Sequence, residues 1–252
     1  MLNGYLQFGH GPKKILAMNG WLGEASDWTS VGEALDKEVF TLVAFDYRGY
    51  GRSRHMAGAF SFEESAEDVV RLANHLGWDR FSLIGHSMGG VAIQRVLLAV
   101  PQRIDRMLAV AAVPACSSKM DAQRLAMFEG AVADVAARER ILDYSTGNRL
   151  TSAWLGRMAQ RSIESSTEQA FAAYLQQWAT VDFSECVKGQ QVPVCVLTGE
   201  FDPTLTAALM ERTWLSWYPN AQSMVIPNAG HYPMFETPLA LASIVQGFLG
   251  QS

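Results

Sequence analysis

Three side chains, far apart along the chain, have the types and settings needed for nucleophilic catalysis: Ser87, Asp202 and His231. Ser87 stands in Gly85-His86-Ser87-Met88-Gly89-Gly90, after the apolar run Phe81 to Ile84 and before a helical pattern from about Met88 to Val100 that Pro101 stops. A strand that reverses abruptly into a helix strains the backbone at its apex. Side chains at the flanking positions would collide with neighbouring backbone, and glycine removes them. The apical hydroxyl then stands at a helix N-terminus, where free N–H groups and the helix dipole favour developing negative charge. The amide of Met88 would face a substrate oxygen. The pentapeptide alone also fits a plain glycine-rich turn; its position between strand and helix is what points to a nucleophile.

A serine hydroxyl is a poor nucleophile at neutral pH and needs a base within hydrogen-bond reach. The chain has five histidines. His10 sits in a turn before the first long strand, His55 in a loop, and His75 late in an amphipathic helix. His86 adjoins the serine and is expected to point elsewhere on the turn. His231, in Asn228-Ala229-Gly230-His231-Tyr232-Pro233, directly follows the last strand. Strands of a parallel sheet all open on one edge, so a loop there can meet the nucleophile. The acid that orients the imidazole is expected at Asp202, in Gly199-Glu200-Phe201-Asp202-Pro203 after the run Val192 to Leu197. The order serine, acid, histidine is the one this turn chemistry uses. Glu200 is the nearest competitor; Asp202 lies deeper in the loop and is fixed by the following proline.

Acyl transfer also needs a pair of donors aimed at the tetrahedral oxygen. One is the Met88 amide. The other is expected from the loop Asn19-Gly20-Trp21-Leu22-Gly23, with the amide of Trp21 as the candidate.

The elements that must position these groups alternate between short apolar runs and helical patterns, the mark of strands joined by crossover helices. Ile15 to Met18 and Val39 to Phe45 read as strands, with a short helix over Asp27 to Leu35 between them. Phe62 to Leu76 is amphipathic, with Val69, Leu72, Ala73 and Leu76 on one face. Met107 to Val113 is another strand. From Pro114 to Gln191 the periodicity is helical, over Asp121 to Leu142, Ser152 to Ile163 and Thr167 to Trp178, with no convincing strand. The alternation resumes with the run Val192 to Leu197, a helix over Thr206 to Trp217, a strand at Ser223 to Ile226 and a final helix over Pro238 to Leu249. The expected fold is α/β: a mostly parallel sheet flanked by helices, built from residues 1–113 and 192–252 and interrupted by a helical insertion at 114–191.

Composition bounds the function. At 252 residues and 49% hydrophobic, the chain can bury a large core. The net charge is -5 with no basic block to neutralise phosphates, so nucleic acid is not an expected partner. No apolar stretch approaches the ~20 residues that span a bilayer. The first residues lack a basic segment followed by an apolar run, and the default expectation is a cytoplasmic protein. Cys116, Cys186 and Cys195 show neither disulfide nor zinc spacing, so no metal site is expected.

Taken in order, Asn19-Gly20-Trp21, Asp46-Tyr47-Arg48-Gly49-Tyr50-Gly51-Arg52-Ser53, the Ser87 turn, the Asp202 loop and Gly230-His231-Tyr232-Pro233 resemble the α/β-hydrolase superfamily over nearly the whole chain. The resemblance implies that residues 114–191 are the family's cap, inserted after its sixth strand and roofing the site. Phe128, Trp154 and Trp178 could then line a pocket beneath it, although such spacing also fits ordinary packing. The resemblance gives Asp46 and Arg48 a structural role beside the site. One departure stands out: most relatives carry His-Gly where this chain has Asn19-Gly20, and the early His10-Gly11 is not its equivalent. A backbone donor survives that swap, and Asn19 is left to bond nearby backbone or a polar substrate group.

The expected activity is hydrolysis of a small to medium carboxylic ester or lactone through an acyl-enzyme on Ser87, with no cofactor and a small-molecule partner. Cleavage of a carbon–carbon bond, a thioester, an amide, or a perhydrolase reaction would use the same residues. A hydrolase-fold ligand receptor, or a protein without chemistry, are readings of a different class. Oligomeric state and pathway are not expressed in these motifs.

Overall fold

The computed structural model describes residues 1–116 and 120–251. They form a seven-stranded sheet from β1 (Tyr5–Phe8), β2 (Lys13–Met18), β3 (Phe40–Phe45), β4 (Phe81–His86), β5 (Ile104–Val110), β6 (Val194–Gly199) and β7 (Ala221–Ile226), in the spatial order β1-β3-β2-β4-β5-β6-β7. β1 runs antiparallel to β3, with Tyr5 opposite Phe45; every other pairing is parallel. The sheet is thus mostly parallel, as expected. β3, β4 and β6 are buried along their whole length, because helices cover both faces of a parallel sheet. Each fully buried Val, Leu, Ile or Phe contributes about 1.5–3 kcal/mol, so these short runs supply much of the core energy.

The helices before the insertion are α1 (Thr29–Ala34), α2 (Phe62–His75) and α3 (Gly89–Ala99). α2 packs on α3. Ser61 caps α2 by accepting the Glu64 amide, which fixes where the amphipathic run begins. After β5 come α4 (Ala122–Gly130), α5 (Val135–Ser145), α6 (Ser152–Ser165), α7 (Glu168–Thr180) and α8 (Ser184–Val187). α9 (Ala207–Arg212) and α10 (Trp214–Trp217) lead to β7, and α11 (Pro233–Glu236) and α12 (Pro238–Leu249) close the fold, α12 packing against α1. Among the described residues, no helix is long and apolar enough to cross a membrane.

Several expected boundaries move. β1 has no counterpart in the sequence reading, because four residues of mixed exposure carry little pattern. β2 starts at Lys13, whose charge and that of Lys14 disguise the strand. β5 lies three residues earlier than expected, since the chain turns at Ala111 with φ of 41°. The single helix expected over Asp121 to Leu142 is two helices, interrupted where Asp134 takes extended backbone and caps α5 through the Ala136 amide. The helix over Thr206 to Trp217 also breaks, at Thr213 (φ −120°, ψ −96°). Part of the expected insertion, residues 117–119, lies outside the described residues.

The chain moves one way across the sheet from β2 to β3 and the other way from β4 to β5. The carboxyl ends of β2 and β4 therefore flank a crevice at the topological switch point. The loop Asn19–Gly23 leaves one of these strands and Ser87 leaves the other.

Candidate active site

Ser87 follows β4 with φ of 53°, in the left-handed region that L-residues other than glycine rarely occupy. β5 and the segment after it hold the strained turn. The Ser87 amide donates to Val110 O at 3.0 Å, and the Ser87 carbonyl accepts from Gly90 (2.8 Å) and Val113 (2.9 Å). The flanking glycines are sterically required. A Cβ at Gly85 would lie 2.4 Å from Gly89 O, and one at Gly89 would lie 2.6 Å from Met18 O. The Ser87 hydroxyl is half-buried and, among the described residues, makes no hydrogen bond. Such bonds commonly tighten only when substrate arrives.

Asp202 and His231 meet after β6 and β7. His231 Nδ1 lies 2.7 Å from Asp202 Oδ2, and both residues are buried. The other carboxylate oxygen, Oδ1, accepts the amides of Thr204 (2.9 Å) and Leu205 (3.0 Å). Burial by itself would raise the Asp202 carboxyl. The adjacent His231 imidazole, its hydrogen bond and the two amides outweigh burial, and the carboxyl lies below its ordinary value. Asp202 is thus an anion built to accept from Nδ1–H, which leaves Nε2 as the imidazole's free nitrogen. Glu200 goes elsewhere: it accepts the Asn228 amide at 2.9 Å. His10 pairs with Glu38 on the surface, and His55 and His75 are exposed.

The backbone around His231 is clamped. Its amide donates to Ser145 O (3.1 Å), at the end of α5. The flanking amides of Gly230 (2.7 Å) and Tyr232 (3.0 Å) both donate to Glu236, a nearly fully buried carboxylate also paired with Arg149 at 2.9 Å. Charge-assisted bonds of this kind are among the stronger ones in proteins. His86 completes the clamp: its ring bonds the His231 carbonyl at 2.7 Å. Glu236 had one local signal, an acid in the first turn of a helix that begins at Pro233.

The amides of Trp21 and Met88 donate to no protein acceptor among the described residues, although both residues are buried. Met88 is the N-cap of α3, so its N–H is one of the helix's uncommitted donors. Asn19 bonds backbone: Nδ2 donates to Gly23 O (2.8 Å) and Gly20 O (3.2 Å), bracing the loop that carries Trp21. Its Oδ1 is buried and has no partner among the described residues.

Phe128 and Trp178 gather on Trp21, each with its ring 5.7 Å from the Trp21 ring and 5.4 Å from one another. The indole N–H of Trp178 is buried and has no partner among the described residues. Trp154 stands apart from this group, edge-on to Tyr232 (6.1 Å) and Phe235 (5.8 Å) beside the His231 loop.

Two groups near the site owe their placement to partners distant in the chain. Arg138, 1% exposed, lies with its guanidinium 3.5 Å over the Phe171 ring and donates to Ala131 O, Val132 O, Ser162 and Ser166. A desolvated cation–π contact contributes on the order of 2 kcal/mol. Asp27, behind the Trp21 loop, is ion-paired with Arg161 of α6. Burial raises its carboxyl to about 7 despite that partner. Asp46 accepts the amides of Ala25 (2.8 Å) and Arg52 (2.9 Å), and Arg48 pairs with Asp68 (2.7 Å) and Glu64 (3.0 Å). Both bond within the scaffold.

Comparison with solved structures finds the same architecture in proteins of diverse chemistry. An esterase from Exiguobacterium antarcticum is 15% identical with a TM-score of 0.88, over 98% of this chain and 95% of that one. Est816, an N-acyl homoserine lactone degrading enzyme, is 24% identical with a TM-score of 0.82, over 97% and 96%. A meta-cleavage product hydrolase from Pseudomonas fluorescens IP01 is 18% identical with a TM-score of 0.80, over 98% and 94%. At such identities the likeness is one of fold. A sequence model of the family described as alpha/beta hydrolase fold matches residues 14–238, and the chain belongs to that family.

Proposed function

We propose that the protein is a serine hydrolase that cleaves a small to medium carboxylic ester or lactone through an acyl-enzyme on Ser87. The observation that carries this reading is the 2.7 Å bond between Asp202 and His231 Nδ1, on the sheet edge that also bears a left-handed serine at a helix N-terminus. His231 Nε2 takes the proton of Ser87 as Oγ attacks the carbonyl carbon. The Trp21 and Met88 amides hold the oxyanion; loss of one such donor typically costs about 3–4 kcal/mol. The leaving alkoxide departs with the proton from His231. Water, deprotonated by the same nitrogen, then attacks the acyl-enzyme and releases the acid. Asp202 stabilises the imidazolium in both halves.

In this reading residues 114–191 form a cap on a core of residues 1–113 and 192–252. Phe128 and Trp178 line the acyl side and Trp154 the leaving-group side, a division supported by their contacts with Trp21 and Tyr232 respectively.

The test is a turnover screen over esters of graded acyl length and lactones, with products identified by mass. Ser87→Ala is expected to lower kcat at least about a thousandfold while the protein still folds. Near-normal hydrolysis by that variant overturns the assignment. Products split at a carbon–carbon bond would move the substrate class and keep the triad.

A further inference from the structure

The Trp21 residue is gripped from the helical segment between β5 and β6. Its indole ring stacks on Phe171 of α7, with centroids 3.9 Å apart and planes 23° from parallel. Its indole N–H donates to the Phe171 carbonyl at 2.8 Å. The Arg138 guanidinium of α5 lies 3.5 Å from the centre of the same Phe171 ring. Two groups this close to one ring centre must occupy opposite faces, so Phe171 is sandwiched between Arg138 and Trp21. Arg138 is itself anchored by four acceptors: the carbonyls of Ala131 and Val132 and the hydroxyls of Ser162 and Ser166. On the core side, the hydroxyl of fully buried Tyr50 donates to the Trp21 carbonyl at 3.1 Å. Ring, indole N–H and carbonyl of Trp21 are all committed; its backbone amide donates to no acceptor among the described residues.

We propose that Phe171, clamped between Arg138 and Trp21, is the positioning residue for the Trp21 backbone amide, so that seating of α7 completes the oxyanion hole. This rests on the reading of Trp21 as an oxyanion donor. Oxyanion donors act through geometry fixed before the reaction, and a displacement of a few tenths of an ångström weakens them in the transition state more than in the ground state. The arrangement makes the apolar acyl side and the oxyanion donor one unit, because Phe128 and Trp178 pack on the same Trp21 ring. A substrate whose acyl group fills that side would tighten the stack as it binds.

The experiment measures kcat and KM on a short-chain ester, and the inhibition constant of an alkylboronic acid, which forms a tetrahedral adduct on the serine. Phe171→Leu keeps an apolar side chain and removes the ring; Phe171→Tyr keeps the ring. Phe171→Leu is expected to lower kcat about tenfold and to weaken the boronic acid in parallel, with KM within a factor of two, and Phe171→Tyr to restore both. A merely structural role would leave boronic acid affinity per folded site unchanged. Folded Phe171→Leu with unaltered kcat, or with KM alone raised, overturns the inference while leaving the hydrolase assignment intact. Wild-type protein that turns over no ester overturns the ester assignment, and boronic acid affinity unchanged in Phe171→Leu then overturns the inference. Where Phe171→Leu does not fold, Trp21→Phe, which keeps the stack and loses the indole N–H anchor, is expected to lower kcat about threefold; no change in its kcat overturns the inference.

Discussion

The ring of His86, the residue before the serine, holds the backbone of His231: Nε2 of His86 lies 2.7 Å from the His231 carbonyl oxygen. A carbonyl only accepts, so Nε2 carries the proton. Burial, followed by the nearby His231, pushes the His86 imidazole down to about 3, which keeps it neutral in this role. The two turns that bear the proposed nucleophile and base are thus joined by a bond that uses neither reactive atom.

Replacing His86 tests that bond. His86→Phe fills the space and leaves the His231 carbonyl unpaired, at a cost of about 1–3 kcal/mol. It is expected to lower kcat roughly tenfold by loosening the base. The linkage has a defined sign. An unfolded chain protonates this histidine below 6.5 and the folded chain only near 3, so acidification across that window destabilises the wild type. Urea unfolding at pH 7 and pH 5 isolates the His86 contribution as a difference: the stability of the wild type relative to His86→Phe should be smaller at pH 5 than at pH 7.

Asp27 works in the opposite direction. Its carboxyl rises from 3.8 to about 7, because burial outweighs the attraction of Arg161 and Glu24 adds repulsion. Between those values the folded state holds a proton that the unfolded chain lacks. The contribution of Asp27 to stability therefore increases as pH falls through 7 towards 4 and is absent at pH 8. Asp27→Asn is expected to gain stability relative to the wild type at pH 8 compared with pH 5.5, by on the order of 1–2 kcal/mol. Equal differences at the two pH values would mean that Arg161 keeps Asp27 ionised throughout.

Two glycines should respond oppositely to alanine. At Gly89 the added methyl would meet Met18 O at 2.6 Å and Asn19 O at 3.1 Å, backbone atoms at the end of β2 and the start of the loop that carries Trp21. Gly89→Ala is expected to lose about 1–3 kcal/mol and much of the activity. Gly156, inside α6, has open space around it. Gly156→Ala is expected to gain about 0.5–1 kcal/mol, because alanine loses less backbone entropy on forming the helix. Thermal melts of the two variants check both.

The residues with local signatures were legible in the sequence. Glycines at 85 and 89 announce a strand-to-helix turn; a Cβ at 85 would strike the Gly89 carbonyl within the turn itself, whereas the clash at 89 is with Met18 and Asn19 of a distant strand and loop. The apolar runs ending before Asn19, Ser87, Asp202 and His231 announce a parallel sheet, whose strands must all open on the edge where those residues stand. Local pattern also misled: apolar periodicity ran on through the break at Asp134, since a cap is a matter of one residue's backbone. What tertiary structure alone decided is which distant groups converge. Nothing around Phe171, Arg138 or Tyr50 says that they grip Trp21, because these contacts join elements that meet only once the sheet has closed and the helices have docked. The free energy of those contacts depends on burial and on distances of 3–4 Å between side chains tens of residues apart, and no local spacing encodes that.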